Sequence, residues 1–246
     1  MSGAEERLAC DPTSELWGEH CSRYRFAARL GMAGRRVLDV ACGAGFGLEL
    51  LEQAGARALG VDYAAGALAE ARRSQPASRL VRTDAARLPF RSQSFDLVVS
   101  FETIEHVTDA RALVHEIRRV LKTGGCLVLS TPNRGFGPPE RHTANPFHTR
   151  EFTAREVRNL LAETFDEVHL YGQRPSPKYR YVPFLMVDPD LSPGAAVWKL
   201  MVRLPFGVKD SVARVLSGRS FYPGENDYCF VPDEFDGAHA LLAVAQ

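Results

Sequence analysis

The stretch VLDVACGAGFGLELL, residues 37–51, decides the fold of this chain. It joins a short apolar run typical of a buried strand to a helical pattern, through a turn that contains Gly43, Gly45 and Gly47. Glycines in such a turn let the backbone approach a ligand closely, and the N–H groups of the following helix can bind that ligand. The turn alone does not identify the ligand, because several classes of nucleotide-binding enzyme use a glycine-rich turn.

Strand-like and helix-like segments alternate on both sides of this turn. The predicted strands are Arg36–Val40, Ala58–Val61, Arg79–Arg82, Phe95–Ser100, Cys126–Ser130, Glu167–Tyr171 and Leu241–Ala245. Helical patterns lie near residues 46–54, 64–74 and 109–121, and Gly124-Gly125 is expected to stop the third of them. This alternation predicts an α/β fold, with a doubly wound, mostly parallel sheet of seven strands and helices on both faces.

The segments outside this alternation complete the predicted domain organisation. Residues 1–34 form an N-terminal cap region with a helix over Ser14–Leu30, and residues 35–171 form the core. A capping box at Thr153 and Glu156 predicts a further helix over Thr153–Glu163. The proline-rich residues 172–225 predict an insertion that serves as a lid or substrate lobe, with helices near 195–203 and 210–216. Residues 226–246 then supply the strand that completes the core.

Composition limits the possible partners. The 246 residues carry 30 basic and 30 acidic side chains, so neither a nucleic acid nor an anionic membrane surface is an expected partner. No apolar run approaches the length of a membrane span, and the first residues lack the pattern of a signal peptide. The five cysteines are widely spaced and lack a CxxC pair, which favours a reducing compartment. We therefore expect a cytoplasmic protein with a small-molecule substrate, and a homo-oligomer stays possible.

Three carboxylates stand at or near the ends of the first three predicted strands. Asp39 lies just before the glycine turn, whose spacing is G-x-G-x-G rather than G-x-G-x-x-G. Asp62 ends the second strand, where a carboxylate can accept hydrogen bonds from a ribose diol. Asp84 follows the third strand, where a carboxylate can accept a hydrogen bond from an adenine amino group. The carboxyl edge of the sheet is therefore the predicted ligand site.

The run FETIEHV, residues 101–107, follows the fourth strand and carries a second group of polar side chains. If a helix begins after Phe101, then Glu102, Glu105 and His106 project from one face of it. Two carboxylates and an imidazole suit a cation such as Mg²⁺ or Mn²⁺. The same residues are also typical of an ordinary helix start, because acidic side chains there favour the helix dipole.

These motifs, with SFDLVVSFETIEHV (94–107) and LKTGGCLVLSTPN (121–133), resemble the class I S-adenosylmethionine-dependent methyltransferases over roughly residues 35–171. The resemblance implies that Asp39, Gly43 and Gly45 line the methionine moiety, that Asp62 binds the ribose, and that Asp84 with Ala85 binds the adenine. The N-terminal helix is expected to cap the cofactor with Tyr24. The full expected cofactor-binding set is Tyr24, Asp39, Ala41, Gly43, Gly45, Asp62, Tyr63, Asp84, Ala85 and Phe101.

The loop STPNRGFGPPERHTANPFHTREFT, residues 130–153, adds His142 and His148 at the end of the neighbouring fifth strand. E-x-x-E-H followed by T-P-N and a later histidine resembles metal-dependent O-methyltransferases, and NPFHTREFT is similar to actinobacterial saccharide O-methyltransferases. This resemblance implies that Glu102, Glu105, His106 and His148 bind Mg²⁺ or Mn²⁺. It also makes His106 and His142 the candidate catalytic residues, with His142 as a proton acceptor.

The expected activity is therefore methyl transfer from S-adenosylmethionine to a hydroxyl of a small molecule, with a sugar or glycoside as the first choice. Three alternatives stay open at this point. The acceptor is a phenol or quinone precursor, the enzyme is a metal-independent aminosugar N-methyltransferase, or the chain is an inactive cofactor-binding partner subunit.

Overall fold

A computed structural model describes residues 16–136, 147–176, 204–218 and 220–246. Over these ranges the chain divides into two compact units. The first contains residues 23–174 and 230–246, and the second contains the described parts of 10–22 and 175–229. The division into a cap, a core and a substrate lobe stays a prediction.

The described residues contain one sheet of eight strands. In sheet order the strands run β3-β2-β1-β4-β5-β8-β6-β7, and neighbours pair in parallel from β3 through to β5. Strand β8 pairs antiparallel with both β5 and β6, so the sheet is mixed but mostly parallel, as predicted. The strands are β1 Arg36–Val40, β2 Arg57–Asp62, β3 Leu80–Arg82, β4 Phe95–Phe101, β5 Leu121–Pro132, β6 Val168–Pro175, β7 Tyr228–Pro232 and β8 Ala240–Ala245.

The prediction of seven strands is wrong by one, because Tyr228–Pro232 forms the additional strand β7. This strand lies at one end of the sheet order, and four of its five residues are half-buried. An edge strand of this kind lacks the apolar run of a central strand, and Pro232 at its end is typical of a loop, so the sequence pattern did not predict it.

The predicted helices of the core are present. They are preceded by α1, Trp17–Ala28, which agrees with the predicted N-terminal helix. The others are α2 Phe46–Gln53, α3 Ala65–Ser74, α4 Ala110–Val120, α5 Ala154–Ala162 and α6 Phe206–Ser217. The capping box of α5 is confirmed, since Thr153 and Glu156 exchange side-chain and backbone hydrogen bonds. Helix α6 covers the predicted helix near residues 210–216, whereas the one predicted near 195–203 lies outside the described residues.

The predicted role of Gly124-Gly125 as the stop signal of α4 is wrong. Helix α4 ends at Val120, and strand β5 begins at once with Leu121. The two glycines lie inside β5, beside a register shift against β4 between Phe95 and Leu97, and Gly124 has a φ of 71°. They therefore accommodate an irregular strand, where a positive φ is open to glycine at little cost.

The strand order places the predicted ligand site. The chain proceeds from β1 outward to β2 and β3, then returns to β4 on the other side of β1. Ligands of such sheets bind at the carboxyl ends of the strands where the order reverses. Right-handed crossovers would put α2 and α3 on the opposite face from α4, and the doubly wound arrangement is retained as a prediction on that basis.

Candidate active site

The glycine turn after β1 adopts the left-handed conformations that its sequence requires. Ala41, Gly43 and Gly45 have φ values of 63°, 55° and 82°. A Cβ added to Gly45 would come within 2.9 Å of the Ala71 Cβ on α3, whereas one added to Gly43 would meet nothing within 4 Å. Gly45 therefore permits close packing of the turn against α3, and Gly43 leaves open space at the end of β1.

Asp39 carries a buried carboxylate directly before this turn. Its side chain is 1% exposed, and its Oδ2 accepts a hydrogen bond of 3.0 Å from the Tyr24 hydroxyl. Within the described residues, its Oδ1 has no hydrogen-bond partner. Burial raises the pKa of Asp39 to about 7, the Tyr24 hydrogen bond opposes this rise, and the nearby Asp62 carboxylate adds to it. Such a carboxylate is suited to a cationic ligand group, which would satisfy Oδ1 and favour the ionised form.

Asp62 links the glycine turn to the end of β2. Its Oδ2 accepts a hydrogen bond of 2.9 Å from the Gly43 N–H, and its Oδ1 accepts one of 2.8 Å from the Ala64 N–H. Each carboxylate oxygen can accept more than one hydrogen bond. Asp62 therefore fixes the turn and still has acceptor capacity for a diol.

Asp84 and Ala85 lie in the turn that follows β3, where Asp84 Oδ1 accepts a hydrogen bond of 2.9 Å from the Ala86 N–H. Tyr63 follows Asp62 and is 71% exposed, with the Arg82 guanidinium 5.7 Å from its ring centroid. An aromatic ring so exposed on a globular surface offers a flat face to a ligand.

Tyr24 packs tightly against the residues around the turn. Its ring makes edge contacts with Phe46 and Phe101, with centroids 5.3 Å and 4.8 Å away. A Cβ added to Gly47 would lie 2.0 Å from the Tyr24 ring, so only glycine fits there. This contact explains the third glycine of the turn.

The run after β4 does not begin a helix, which corrects the prediction for Glu102, Glu105 and His106. Residues 104–106 form a turn, in which the His106 N–H donates to the Thr103 carbonyl over 3.0 Å. Helix α4 starts only at Ala110, because Asp109 caps it by accepting a hydrogen bond from the Ala112 N–H. The Asp109 cap was the local signal for the true helix start.

Glu102 is engaged by partners other than His106 and His148. It has a φ of 50°, and its Oε1 accepts a hydrogen bond of 2.8 Å from Ser130. The same oxygen lies 3.1 Å from the Arg23 guanidinium. Arg23 is fully buried and also donates over 2.6 Å to the Gln173 side chain. Sequence reasoning missed Arg23, because an arginine in an amphipathic helix carries no signal of burial.

Glu105, His106 and His148 come together as a cluster suited to a metal ion. Each offers one ligand atom, and these atoms all lie within 4.8 Å of one another. The His106 and His148 ring centroids are 4.9 Å apart, and His106 Nε2 lies 4.0 Å from Glu105 Oε1. Of the four predicted ligands, three are thus gathered, and Glu102 is not part of this cluster. His142, the predicted proton acceptor, lies outside the described residues.

Glu105 is the buried member of this cluster. It is fully buried, and its Oε2 accepts a hydrogen bond of 2.9 Å from Thr131. In the described part of the chain, its Oε1 has no hydrogen-bond partner. Burial, and to a smaller extent the Glu102 carboxylate, raise the pKa of Glu105 well above its usual range. A buried carboxylate oxygen without a partner is costly unless a cation or a proton satisfies it.

The outer partners of the two histidines orient their rings. The His106 Nδ1 lies 3.1 Å from the Phe147 carbonyl oxygen, and the His148 Nδ1 lies 3.1 Å from Glu151 Oε1. Carbonyl and carboxylate oxygens accept hydrogen bonds, so the Nδ1 atoms carry the protons in these pairs. Metal-binding histidines commonly have such partners, which leave Nε2 as the ligand atom.

Comparison with known proteins identifies the centre of this fold. Residues 38–129 match the family described as a methyltransferase domain. A relative from Mycolicibacterium smegmatis, named "Probable S-adenosylmethionine-dependent methyltransferase", is 42% identical over 137 residues, which cover 55% of this chain and 53% of the relative. Over this region the chain is similar to S-adenosylmethionine-dependent methyltransferases.

A second relative of this region bears a more specific name. The ubiquinone biosynthesis O-methyltransferase of Pseudomonas aeruginosa is 37% identical over 112 residues, which cover 43% of this chain and 48% of that protein. The chain spans about half the length of the curated relatives it matches.

Solved structures of methyltransferases agree with this fold. A SAM-dependent methyltransferase of Thermotoga maritima superimposes with a TM-score of 0.61 at 17% identity, covering 93% of this chain and 88% of that one. One from Archaeoglobus fulgidus gives a TM-score of 0.59 at 18% identity, covering 94% of each chain. Across the described residues, no helix combines the length and the apolar character that crossing a bilayer requires.

Proposed function

We propose that this chain transfers a methyl group from S-adenosylmethionine to a hydroxyl of a small molecule, most specifically a sugar or glycoside, with the help of a divalent cation. The observation that carries the proposal is the Glu105–His106–His148 cluster, whose first two members follow β4 within the residues that match a methyltransferase domain. The similarity of NPFHTREFT to saccharide O-methyltransferases supports the sugar acceptor. We retain a cytoplasmic location, the absence of nucleic-acid and membrane partners, and a possible homo-oligomer as predictions.

The donor side of the proposed site uses the carboxylates described above. The unpartnered Oδ1 of Asp39 suits the ammonium group of the donor's methionine moiety, and the open space at Gly43 admits that moiety to the backbone. Asp62 would accept the ribose hydroxyls, and Asp84 with Ala85 would bind the adenine. Tyr24, Ala41, Gly45, Tyr63 and Phe101 are retained as the surrounding contacts.

The residues of the cluster fit a divalent cation. Glu105 Oε1, which has no hydrogen-bond partner among the described residues, would be satisfied by a cation, and the outer partners of the histidines direct two imidazole nitrogens for coordination. Two imidazoles and one carboxylate favour a borderline ion such as Mn²⁺ over Mg²⁺, which prefers oxygen ligands. We therefore propose a ligand set of these three residues and a structural role for Glu102 beside Arg23.

The chemistry of methyl transfer determines what the residues of the site must do. The acceptor oxygen attacks the methyl carbon in line as the carbon–sulfur bond breaks, so the chain must align the two molecules and exclude water. When bound, a divalent cation lowers the pKa of a coordinated hydroxyl. Glu105, His106 and His148 would hold that cation, and Asp39 and Asp62 would fix the donor. His142 stays the predicted proton acceptor.

Two measurements test this proposal. Methyl transfer is assayed on glycosides, phenols and amines, before and after treatment with EDTA, and we expect metal-dependent turnover of a glycoside.

Binding of Mn²⁺ is followed by electron paramagnetic resonance in three proteins: the parent, Glu105→Gln and Glu102→Gln. We expect Glu105→Gln to weaken binding by about 10- to 100-fold or more, as loss of a metal ligand or its support does, and Glu102→Gln to change it by less than about threefold. Turnover that is insensitive to the chelator would contradict the role of the metal. Equal losses of Mn²⁺ binding in both variants would contradict the three-residue ligand set.

A phenol or quinone precursor is the second candidate acceptor. It is favoured by the 37% identity to the ubiquinone biosynthesis O-methyltransferase over 112 residues. The same acceptor panel separates the two candidates, because turnover restricted to phenols would select the second one.

A further inference from the structure

A polar groove of about 530 Å³ lies in the first unit, between the start of α4 and one side of α5. Its walls are residues 107–111, which directly follow Glu105 and His106, and residues 149 and 150, which directly follow His148. The volume is within the range of small-molecule sites. Neither the donor carboxylates nor the metal cluster line this groove.

Thr149 joins the groove to the proposed metal cluster. Its hydroxyl lies 2.8 Å from the Glu105 carbonyl oxygen and 2.9 Å from the Val107 carbonyl oxygen, and its N–H donates to Glu105 over 2.8 Å. These bonds hold the segment that carries His148 against the segment that carries Glu105 and His106. The residues that line the groove therefore directly follow the cluster residues along both segments.

Each cation of the groove is paired, and carboxylates outnumber cations in the lining. Arg150 pairs with Glu156 and Arg111 pairs with Glu163, each over 2.8 Å. Asp109 is the third carboxylate of the lining, and it is engaged in capping α4. An anionic ligand such as a phosphate would need unpaired cations, and neither guanidinium in this groove is unpaired.

Uncharged polar groups remain available between these pairs. The side chains of Thr108 and Asn159 line the groove and form no hydrogen bonds with the described residues. An amide supplies two donors and two acceptor sites, and a hydroxyl supplies one donor and two acceptor sites. The floor is apolar, because Phe152 and Leu160 are 3% and 9% exposed.

We propose that this groove binds the body of an uncharged, polyhydroxylated acceptor whose reacting hydroxyl lies at the metal cluster. The inference rests on the proposed function and adds that the acceptor is neutral rather than phosphorylated or carboxylated. Asn159 is the specificity-determining residue, since its amide stands between the two ion pairs on the α5 face formed by Glu156, Asn159 and Glu163.

The test compares two substitutions on opposite sides of α5. Asn159→Trp fills the groove, whereas Arg155→Trp places the same side chain toward a separate cavity lined by Arg155 and Arg158. Binding of methyl glucoside, maltose and glucose 6-phosphate is measured by saturation-transfer NMR on the full chain, with S-adenosylhomocysteine and Mn²⁺ present. We expect a neutral probe to bind the parent and the Arg155→Trp variant, and to lose at least about tenfold in affinity with Asn159→Trp.

Several outcomes would contradict the proposal that this groove binds the acceptor. These are failure of both neutral probes to bind the parent, tighter binding of glucose 6-phosphate than of both neutral probes, or unchanged binding by Asn159→Trp. If Asn159→Trp fails to fold, Asn159→Ala replaces it, with an expected loss of about three- to tenfold and the same control. Calorimetric binding of S-adenosylhomocysteine separates this inference from the proposed function. If the chain binds the cofactor product normally but does not bind the glycosides, the proposed methyl transfer stands and the proposed acceptor groove is wrong.

Discussion

At the scale of single residues, burial decides what the carboxylates of this chain can do. Asp39 and Asp62 lie at the ends of adjacent strands, yet only Asp39 is buried with an oxygen that lacks a hydrogen-bond partner in the described residues. Asp62 is held by two backbone N–H groups. Burial therefore makes Asp39 sensitive to pH and to a cationic ligand.

Donor binding should depend on the ionisation of Asp39. Its pKa is raised to about 7, so it is mostly protonated below that pH and cannot pair with an ammonium group. We expect the affinity for S-adenosylhomocysteine to rise by about tenfold from about pH 6 to about pH 8, because the ionised fraction changes nearly tenfold per unit below the pKa. Calorimetric titrations measure this, and Asp39→Asn should bind weakly with no such rise. A flat profile for the parent would contradict the assignment.

The same shift has a defined sign for stability. Between about pH 4 and about pH 7, the folded chain keeps a proton on Asp39 that the unfolded chain releases, so rising pH in this window lowers stability. Above about pH 7 the contribution is constant. Bound donor should reverse the loss, because its ammonium group favours the ionised form.

Arg23 is the buried cation of the first unit that sequence reasoning missed. Arg23→Met removes the partner of Glu102 and Gln173, and we expect it to lower the free energy of unfolding by about 3 kcal/mol. The control is Arg25→Met, an exposed arginine of the same helix, with an expected change below about 0.5 kcal/mol. Urea unfolding of both variants measures the difference, and equal effects would show that the burial of Arg23 is unimportant.

At the scale of secondary-structure elements, the contact of Tyr24 with Gly47 joins α1 to α2. A Cβ at Gly47 would overlap the Tyr24 ring at 2.0 Å, although Gly47 lies in a helix, where alanine is otherwise preferred. The glycine is therefore required by packing and not by backbone conformation. The hydroxyl group of Tyr24 also donates a hydrogen bond to Asp39. This packing therefore supports the proposed binding site of the methyl donor.

Gly47→Ala should displace Tyr24 and lower the free energy of unfolding by about 1–3 kcal/mol, as overpacking does. Weaker binding of S-adenosylhomocysteine should accompany this loss. Gly207→Ala is the matched control in α6, where a Cβ meets nothing within 4 Å, and it should be neutral or stabilising by up to about 1 kcal/mol. Adding Tyr24→Ala to Gly47→Ala should cancel part of the penalty. Strict additivity of the two substitutions would argue against the contact.

At the scale of the whole molecule, the last strand completes the sheet from the end of the chain. Strand β8 inserts antiparallel between β5 and β6, and all six of its residues are buried. Ala243 pairs with Leu129 on one side and Leu170 on the other. Contacts so distant in sequence are formed only in the assembled sheet.

Ala243→Asp should prevent stable folding. An unpaired carboxylate buried there costs several kcal/mol, which is comparable to the total stability of about 5–15 kcal/mol expected of a domain. Gln246→Asp places the same side chain at an exposed position just beyond β8 and should be tolerated. Soluble yield and urea unfolding of both variants check this, and a stable Ala243→Asp protein would contradict the buried position of β8.

The sequence by itself determined the strand–helix alternation, the glycine turn, the carboxylates at the strand ends and the capping box of α5. Each of these follows from local propensity or from periodicity along the chain, so a few neighbouring residues are enough to predict it. The position of the loop after the neighbouring strand indicated that His142 or His148 lies near Glu105 and His106, and the resemblance to metal-dependent O-methyltransferases selected His148.

The assembled fold was needed to determine the contacts of Glu102, the burial of Arg23 and the presence of the edge strand β7. Glu102 and Arg23 are far apart in sequence, and their pairing depends on α1 and β4 being brought together with Ser130 and Gln173. The desolvation of a charged group depends on everything packed around it. A sequence window contains none of that surrounding protein, which is why the predicted set of four metal ligands became a cluster of three beside a buried ion pair.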